Sequence, residues 1–220
     1  MQAVRQRIAR AAAAAGRDPR SVTLLAVSKT HPAALVEQAL AAGQRAFGEN
    51  YVQEAVEKMD ALVGKSLIWH CIGPLQSNKT RLAAARFDWV HSVESEKVAR
   101  RLSDQRPSGM PPLNVLIQVN VSGEASKSGV APAAVLSLAG AISGLPRLKL
   151  RGLMAIPEST QDQALQRSRF HELKKLLEQM QEQHPGLDTL SMGMSDDMEA
   201  AIAEGATLVR VGTAIFGARA

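Results

Sequence analysis

Short apolar runs alternate with amphipathic stretches along the whole chain. The runs at 24–29, 46–49, 67–73, 89–93, 114–121, 148–156, 189–194 and 208–211 predict strands, most of them buried. Between them, residues 32–42, 52–62, 79–85, 95–105, 132–143, 162–183 and 196–204 carry apolar positions at helical spacing. The stretch 162–183 is the clearest. Leu165, Phe170, Leu173, Leu176, Leu177 and Met180 share one face, and charges cover the rest. Residues 1–16 predict one more helix, with Val4, Ile8, Ala11, Ala12 and Ala15 on one face and Gly16 as its stop signal. The same stretch is rich in Arg and Ala and free of acids, as transit peptides are. Its apolar face favours a helix packed on the domain, and it lacks the continuous apolar core of a secretory signal.

Eight strands alternating with helices predict an α/β fold, a single closed (β/α)8 TIM-type barrel with an extra N-terminal helix. The competing open doubly wound sheet usually has fewer strands and a glycine-rich first turn. No GxGxxG follows the first strand here. The proline-rich stretch 106–112 is a connector, because strands continue on both sides. Residues 1–220 are therefore expected to form one barrel domain.

Composition narrows the partners. Hydrophobic residues make up 45% and charged residues 21%, the balance of a soluble globular protein. Aromatics are 3%, so the core must be aliphatic. The one cysteine, Cys71, lies in an apolar run. It excludes an internal disulfide and a thiolate metal cluster, and it fits a reducing cytoplasm. No apolar stretch approaches membrane-span length. The net charge is +5. Basic residues are nevertheless scattered among acids, with no basic patch interleaved with aromatics. Neither nucleic acid nor a membrane is expected as a partner.

Barrel enzymes place their chemistry at the C-terminal ends of the strands. The polar residues there are Lys29, Glu49, Asn50, His70, His91, Ser92, Asn120, Ser195, Arg210 and Thr213, joined by Gly73, Met154 and Gly212. Burial makes a lysine a nucleophile, able to form Schiff bases with carbonyl compounds. A Lys29 that has already left the sheet would instead point to water. Ser195 stands where it could cap the 196–204 helix, whose free N–H groups would bind an anion. Asp196 and Asp197 would then face outward and complement the helix dipole. Gly212 would let backbone approach a ligand, and Thr213 adds a hydroxyl. The plainer alternative is that Ser195 only caps and Gly212 only turns. Arg210, between Val209 and Val211, should point into the barrel. A buried guanidinium needs a partner, either an acid such as Glu49 or a ligand atom.

These residues sit in long ordered motifs. They are Ala26-Val27-Ser28-Lys29-Thr30, Phe47-Gly48-Glu49-Asn50-Tyr51-Val52-Gln53-Glu54, and Trp69-His70 followed by residues 72–79. Asn120-Val121-Ser122 with Lys127-Ser128-Gly129, residues 151–156, 191–199 and 209–217 complete the set. Together they resemble the YggS/PROSC family, most of all its bacterial members, over nearly the whole chain. The resemblance implies a pyridoxal phosphate-binding barrel related to the N-terminal domain of alanine racemase. Lys29 would carry the cofactor as a Schiff base, with Asn50 nearby. Ser195, Gly212 and Thr213 would hold the phosphate, and Arg210 would face the pyridine nitrogen. Met154, at the end of the sixth strand, is counted with this ring. The short N-terminus and the end at Ala218-Arg219-Ala220 depart slightly from the bacterial pattern.

The family is described as a pyridoxal phosphate homeostasis protein without an established reaction. The first expectation is thus a monomeric carrier that limits free aldehyde and supplies pyridoxal phosphate-dependent apoenzymes. The second is an enzyme, a weak amino-acid racemase or a Schiff-base aldolase. A two-base racemase needs a group on each face of the substrate. Tyr51, the one tyrosine, reads as packing or surface, and His70 and His91 read as satisfied core or loop residues.

Overall fold

The computed structural model describes residues 1–124 and 127–217; the chain end at 218–220 lies outside them. Eight parallel strands close on themselves in chain order, with the first hydrogen-bonded to the last. They are β1 Thr23–Val27, β2 Ala46–Glu49, β3 Ile68–Cys71, β4 Trp89–Val93, β5 Leu113–Gln118, β6 Leu148–Met154, β7 Thr189–Ser191 and β8 Leu208–Val211. The helices are α1 Gln2–Ala14, α2 Ala33–Ala41, α3 Val52–Ala61, α4 Thr80–Arg86, α5 Glu96–Gln105, α6 Val135–Ser143, α7 Gln163–Gln183, α8 Met198–Ala203 and α9 Thr213–Phe216. This is the TIM-barrel architecture that the alternation predicts, with the N-terminal helix in place. No helix among the described residues is long and apolar enough to cross a membrane.

The main core lies between the helices and the outer face of the sheet, where Phe47, Val90, Val115, Phe170, Leu173 and Val209 are all sealed from solvent. A smaller apolar cluster of Leu25, Val27, Ile72 and Leu208 packs separately from it. Helix termini follow local chemistry. Asp162 caps α7 by accepting from Ala164 N at 2.9 Å and Leu165 N at 3.2 Å. Helix α1 buries Val4, Ile8 and Ala12, and Gly16 takes φ +68° just past its end.

Several strands stop earlier than the apolar pattern predicts. Residues 28–29, 72–73, 119–121, 155–156 and 192–194 have left the sheet. The pattern overshoots because most of these residues remain apolar or buried while they turn into loops. They rim the C-terminal mouth. The helix expected at 132–143 splits into a 3-10 turn, Pro132–Ala134, and then α6. The four-residue α9 was not expected at all.

Candidate functional site

A cavity of about 440 Å³ opens at the C-terminal mouth of the barrel. Lys29, Asn50, Ser195, Arg210, Gly212 and Thr213 all line it. Met154 does not. Leu153 packs into the outer core, so strand alternation turns Met154 inward, where it is fully buried. Ile156, two residues further on, reaches the cavity instead.

Lys29 is neither a buried strand lysine nor a fully solvated one. Ser28 N still donates to Gly48 O at 3.0 Å, but Lys29 is already off the sheet and half-buried. Thr30 follows at φ +65°, the only non-glycine residue with positive φ among the described residues. Asn50 leaves β2 in the same way. Its carbonyl passes so near Gly73 that a Cβ there would lie 2.3 Å from Asn50 O. Only glycine permits that crossing, so Gly73 helps shape the cavity wall.

The end of the barrel differs in detail from the sequence expectation. Helix α8 starts at Met198, so Ser195 is not its N-cap; Asp197 holds that position. The reason is a turn over 195–197, closed by Met194 N donating to Asp197 Oδ1 at 2.6 Å. Asp196 lines the cavity rather than facing away from it. The carbonyl of Ser195 accepts from Arg7 Nη2 of α1 at 2.7 Å, and Arg7 also pairs with Glu199. Helix α9 begins directly after β8, with Ile215 N and Phe216 N both donating to Gly212 O. A Cβ at Gly212 would meet Val27 O at 3.1 Å, so this glycine accommodates the neighbouring strand β1.

Arg210 does point into the barrel and is 4% exposed. Its partners are not Glu49. Nη1 donates to Ser191 O and Ser191 Oγ, each at 2.7 Å, and Nη2 donates to Ala155 O at 2.8 Å. Burial lowers its pKa to about 10, with Asp197 acting in the opposite direction, so it stays charged at neutral pH. Beyond Ser191 the chain of contacts continues. His91 Nδ1 lies 3.0 Å from Ser191 Oγ, and His91 Nε2 lies 2.9 Å from His70 Nδ1. A guanidinium can only donate, so the Ser191 hydroxyl proton goes to His91 Nδ1. The His91 proton then sits on Nε2 and is donated to His70. Burial pushes His70 down to about 3. Burial, then His70 and Arg210, hold His91 well below the usual imidazole range. Both rings are therefore neutral, satisfied core residues. Tyr51 is 59% exposed and does not line the cavity. Cys71 is buried, and burial pushes its thiol up to about 12, the behaviour of an inert cysteine.

Gln118, Lys127 and Ser128 also line the cavity, without having been assigned a role there. Lys127 and Ser128 arrive because the chain after β5 folds back. Val130 N donates to Gln118 O and Asn120 N to Val130 O, each at 2.9 Å. The polar Lys127-Ser128 pair was visible as a motif, but nothing in its spacing reveals the fold-back.

A lysine beyond the first strand, an inward arginine on the last and a short helix behind it define one class of barrel. Residues 1–220 match the family described as alanine racemase, N-terminal domain. The chain is 63% identical over 216 residues to the pyridoxal phosphate homeostasis protein of Pseudomonas aeruginosa, covering 98% of this chain and 93% of that one. It is 54% identical over 219 residues to the protein of the same name from Escherichia coli K12, covering 98% and 94%. Among solved structures it resembles PipY of Synechococcus elongatus with pyridoxal phosphate bound. The TM-score is 0.83 at 41% identity, covering 96% of this chain and 100% of PipY. The chain belongs to the alanine racemase N-terminal-domain family, in its YggS/PROSC branch of pyridoxal phosphate homeostasis proteins.

Proposed function

We propose that this protein binds pyridoxal 5'-phosphate on Lys29 and serves as a monomeric intracellular carrier of it. The observation that carries the reading is the convergence, in one cavity of about 440 Å³, of a half-buried lysine, a buried guanidinium and a hydroxyl at a helix start. That volume lies within the range of cofactor pockets. The donor set suits the group: an amine for an aldehyde, and Ser195, Gly212 and Thr213 for a phosphate. When bound, the cofactor supplies an aldehyde that condenses reversibly with a primary amine, releasing water.

The protein's own residues then divide the work. Lys29 anchors, and its partial exposure leaves the anchor open to exchange. Ser195, Gly212 and Thr213 hold the phosphate, and Asn50 sits beside the ring. Arg210 faces the pyridine nitrogen. Because it gives up its proton so reluctantly, it keeps that nitrogen unprotonated and weakens the ring as an electron sink. None of Tyr51, His70 and His91 lines the cavity, so none stands ready as an opposing base. This favours holding and release to apoenzymes over racemisation.

The test is an absorbance spectrum of the purified protein loaded with pyridoxal phosphate, before and after borohydride, with mass mapping of the modified residue. One modification on Lys29, lost in Lys29→Ala, is expected. No lysine-adduct band, together with no effect of Lys29→Ala, would overturn the reading.

A further inference from the structure

Bonded to the residues on either side of Lys29, and outside the cavity lining, is an ion cluster that the carrier reading does not use. Lys58 of α3 is 6% exposed and Glu49 at the end of β2 is 0% exposed. The Lys58 ammonium has three protons to donate, and three acceptors surround it. They are Ser28 O at 2.7 Å, Glu49 Oε1 at 2.8 Å and Glu54 Oε1 at 2.6 Å. Both carboxylates also hold the chain on either side of Lys29. Ser28 Oγ donates to Glu49 Oε1 at 2.6 Å, and Thr30 N donates to Glu54 Oε1 at 2.6 Å. Residue 28 is thus held twice and residue 30 once, with Lys29 between them.

The held segment is strained. Thr30 is β-branched and sits at φ +65°, a region that such residues avoid. Strain of this kind persists only where surrounding contacts over-determine the backbone. Here those contacts meet at one ammonium. Lys58 also offsets the cost of burying Glu49, whose carboxyl burial holds above the usual carboxylate range against the hydrogen bonds from Lys58 and Ser28.

We infer that Lys58, with Glu49 and Glu54, is a positioning group that clamps the Ser28–Thr30 turn and thereby sets how firmly Lys29 retains its ligand. This rests on the reading of Lys29 as the cofactor anchor. Loss of the clamp lets Thr30 relax to negative φ and swings Lys29 away from the cavity.

The experiment follows the rate at which the loaded, full-length protein loses its lysine-adduct absorbance on dilution into excess buffer. Lys58→Met is expected to release pyridoxal phosphate about tenfold faster, the factor that relief of one left-handed residue supplies. Thr30→Gly removes the strain, because glycine adopts positive φ freely. In that background Lys58→Met should change release by no more than about twofold. A merely structural role for Lys58 would not be relieved at residue 30. Equal acceleration in both backgrounds, or no acceleration in either, overturns the inference. Lys29→Ala is run alongside. If it retains the adduct, the anchor reading itself fails; if it loses the adduct while Lys58→Met releases at the wild-type rate, only the clamp fails. Should Lys58→Met not fold, Glu54→Gln with and without Thr30→Gly makes the same comparison. Glu54 is partly exposed, and its amide keeps the shape of the side chain.

Discussion

Arg210 carries a full charge inside the barrel without a carboxylate bonded to it. Two carbonyls and one hydroxyl satisfy it, and through Ser191 it polarises a pair of neutral imidazoles. Such a residue tests sharply. Arg210→Glu would place an acceptor where a permanent donor now stands, and it favours a protonated pyridine nitrogen. The absorbance of the loaded protein should shift, and an unchanged spectrum would remove Arg210 from the ring nitrogen. The same change leaves Ala155 O without its Arg210 donor and Ser191 O with only the bond from Ala155 N. Urea unfolding should therefore show a loss of about 2–5 kcal/mol.

At the scale of elements, the strand ends decide the shape of the site. Gly73 lets β3 turn out across Asn50, where a Cβ would sit 2.3 Å from a carbonyl oxygen. Gly73→Ala should cost about 1–3 kcal/mol in unfolding measurements and weaken pyridoxal phosphate binding, because relief requires Asn50 to move from the cavity wall. Equal affinity for the cofactor would show that this crossing is not part of the site. The alternation of strands and helices was legible in the sequence because it depends on periodicity alone. So was part of the ring at the mouth, once the barrel was inferred: Lys29, Asn50, Gly73, Ser195, Arg210, Gly212 and Thr213 reach the cavity, while Glu49, His70, His91 and Met154 do not line it. The missing details depend on where chains turn. Ser195 reads as a cap, yet the 195–197 turn delays α8 to Met198. Lys58 carries no signal within the helical pattern of 52–62, since only the tertiary fold brings Glu49 and Ser28 O to it. Lys127 lies beyond a fold-back that no spacing announces.

For the molecule as a whole, the two buried histidines set a pH dependence of stability. Their folded pKa values lie below the ordinary 6.5, His70 at about 3. The unfolded chain therefore binds protons that the folded barrel refuses. Stability is full above pH 6.5 and falls as the pH drops towards the folded values, with a slope approaching about 1.4 kcal/mol per pH unit for each ring. Glu49, raised by burial, acts in the opposite direction. Urea unfolding at pH 7 and pH 5 should show the loss, and a His70→Phe/His91→Gln double variant should flatten it. An equal slope in that variant would mean that other groups govern the acid limb.

The closure of β1 on β8 has a consequence for biosynthesis. Leu25 pairs with Arg210, and Ala26 with Val211, so the lysine side of the cavity and its arginine side are neighbours only after the last strand docks. A ribosome delivers Lys29 with the first strand, and Gly212 and Thr213 only after the eighth, at about 5–20 residues per second. Throughout that interval the nascent chain displays a lysine but no pocket. Capture of the cofactor thus waits for the eighth strand, and a loaded protein certifies that its barrel has closed.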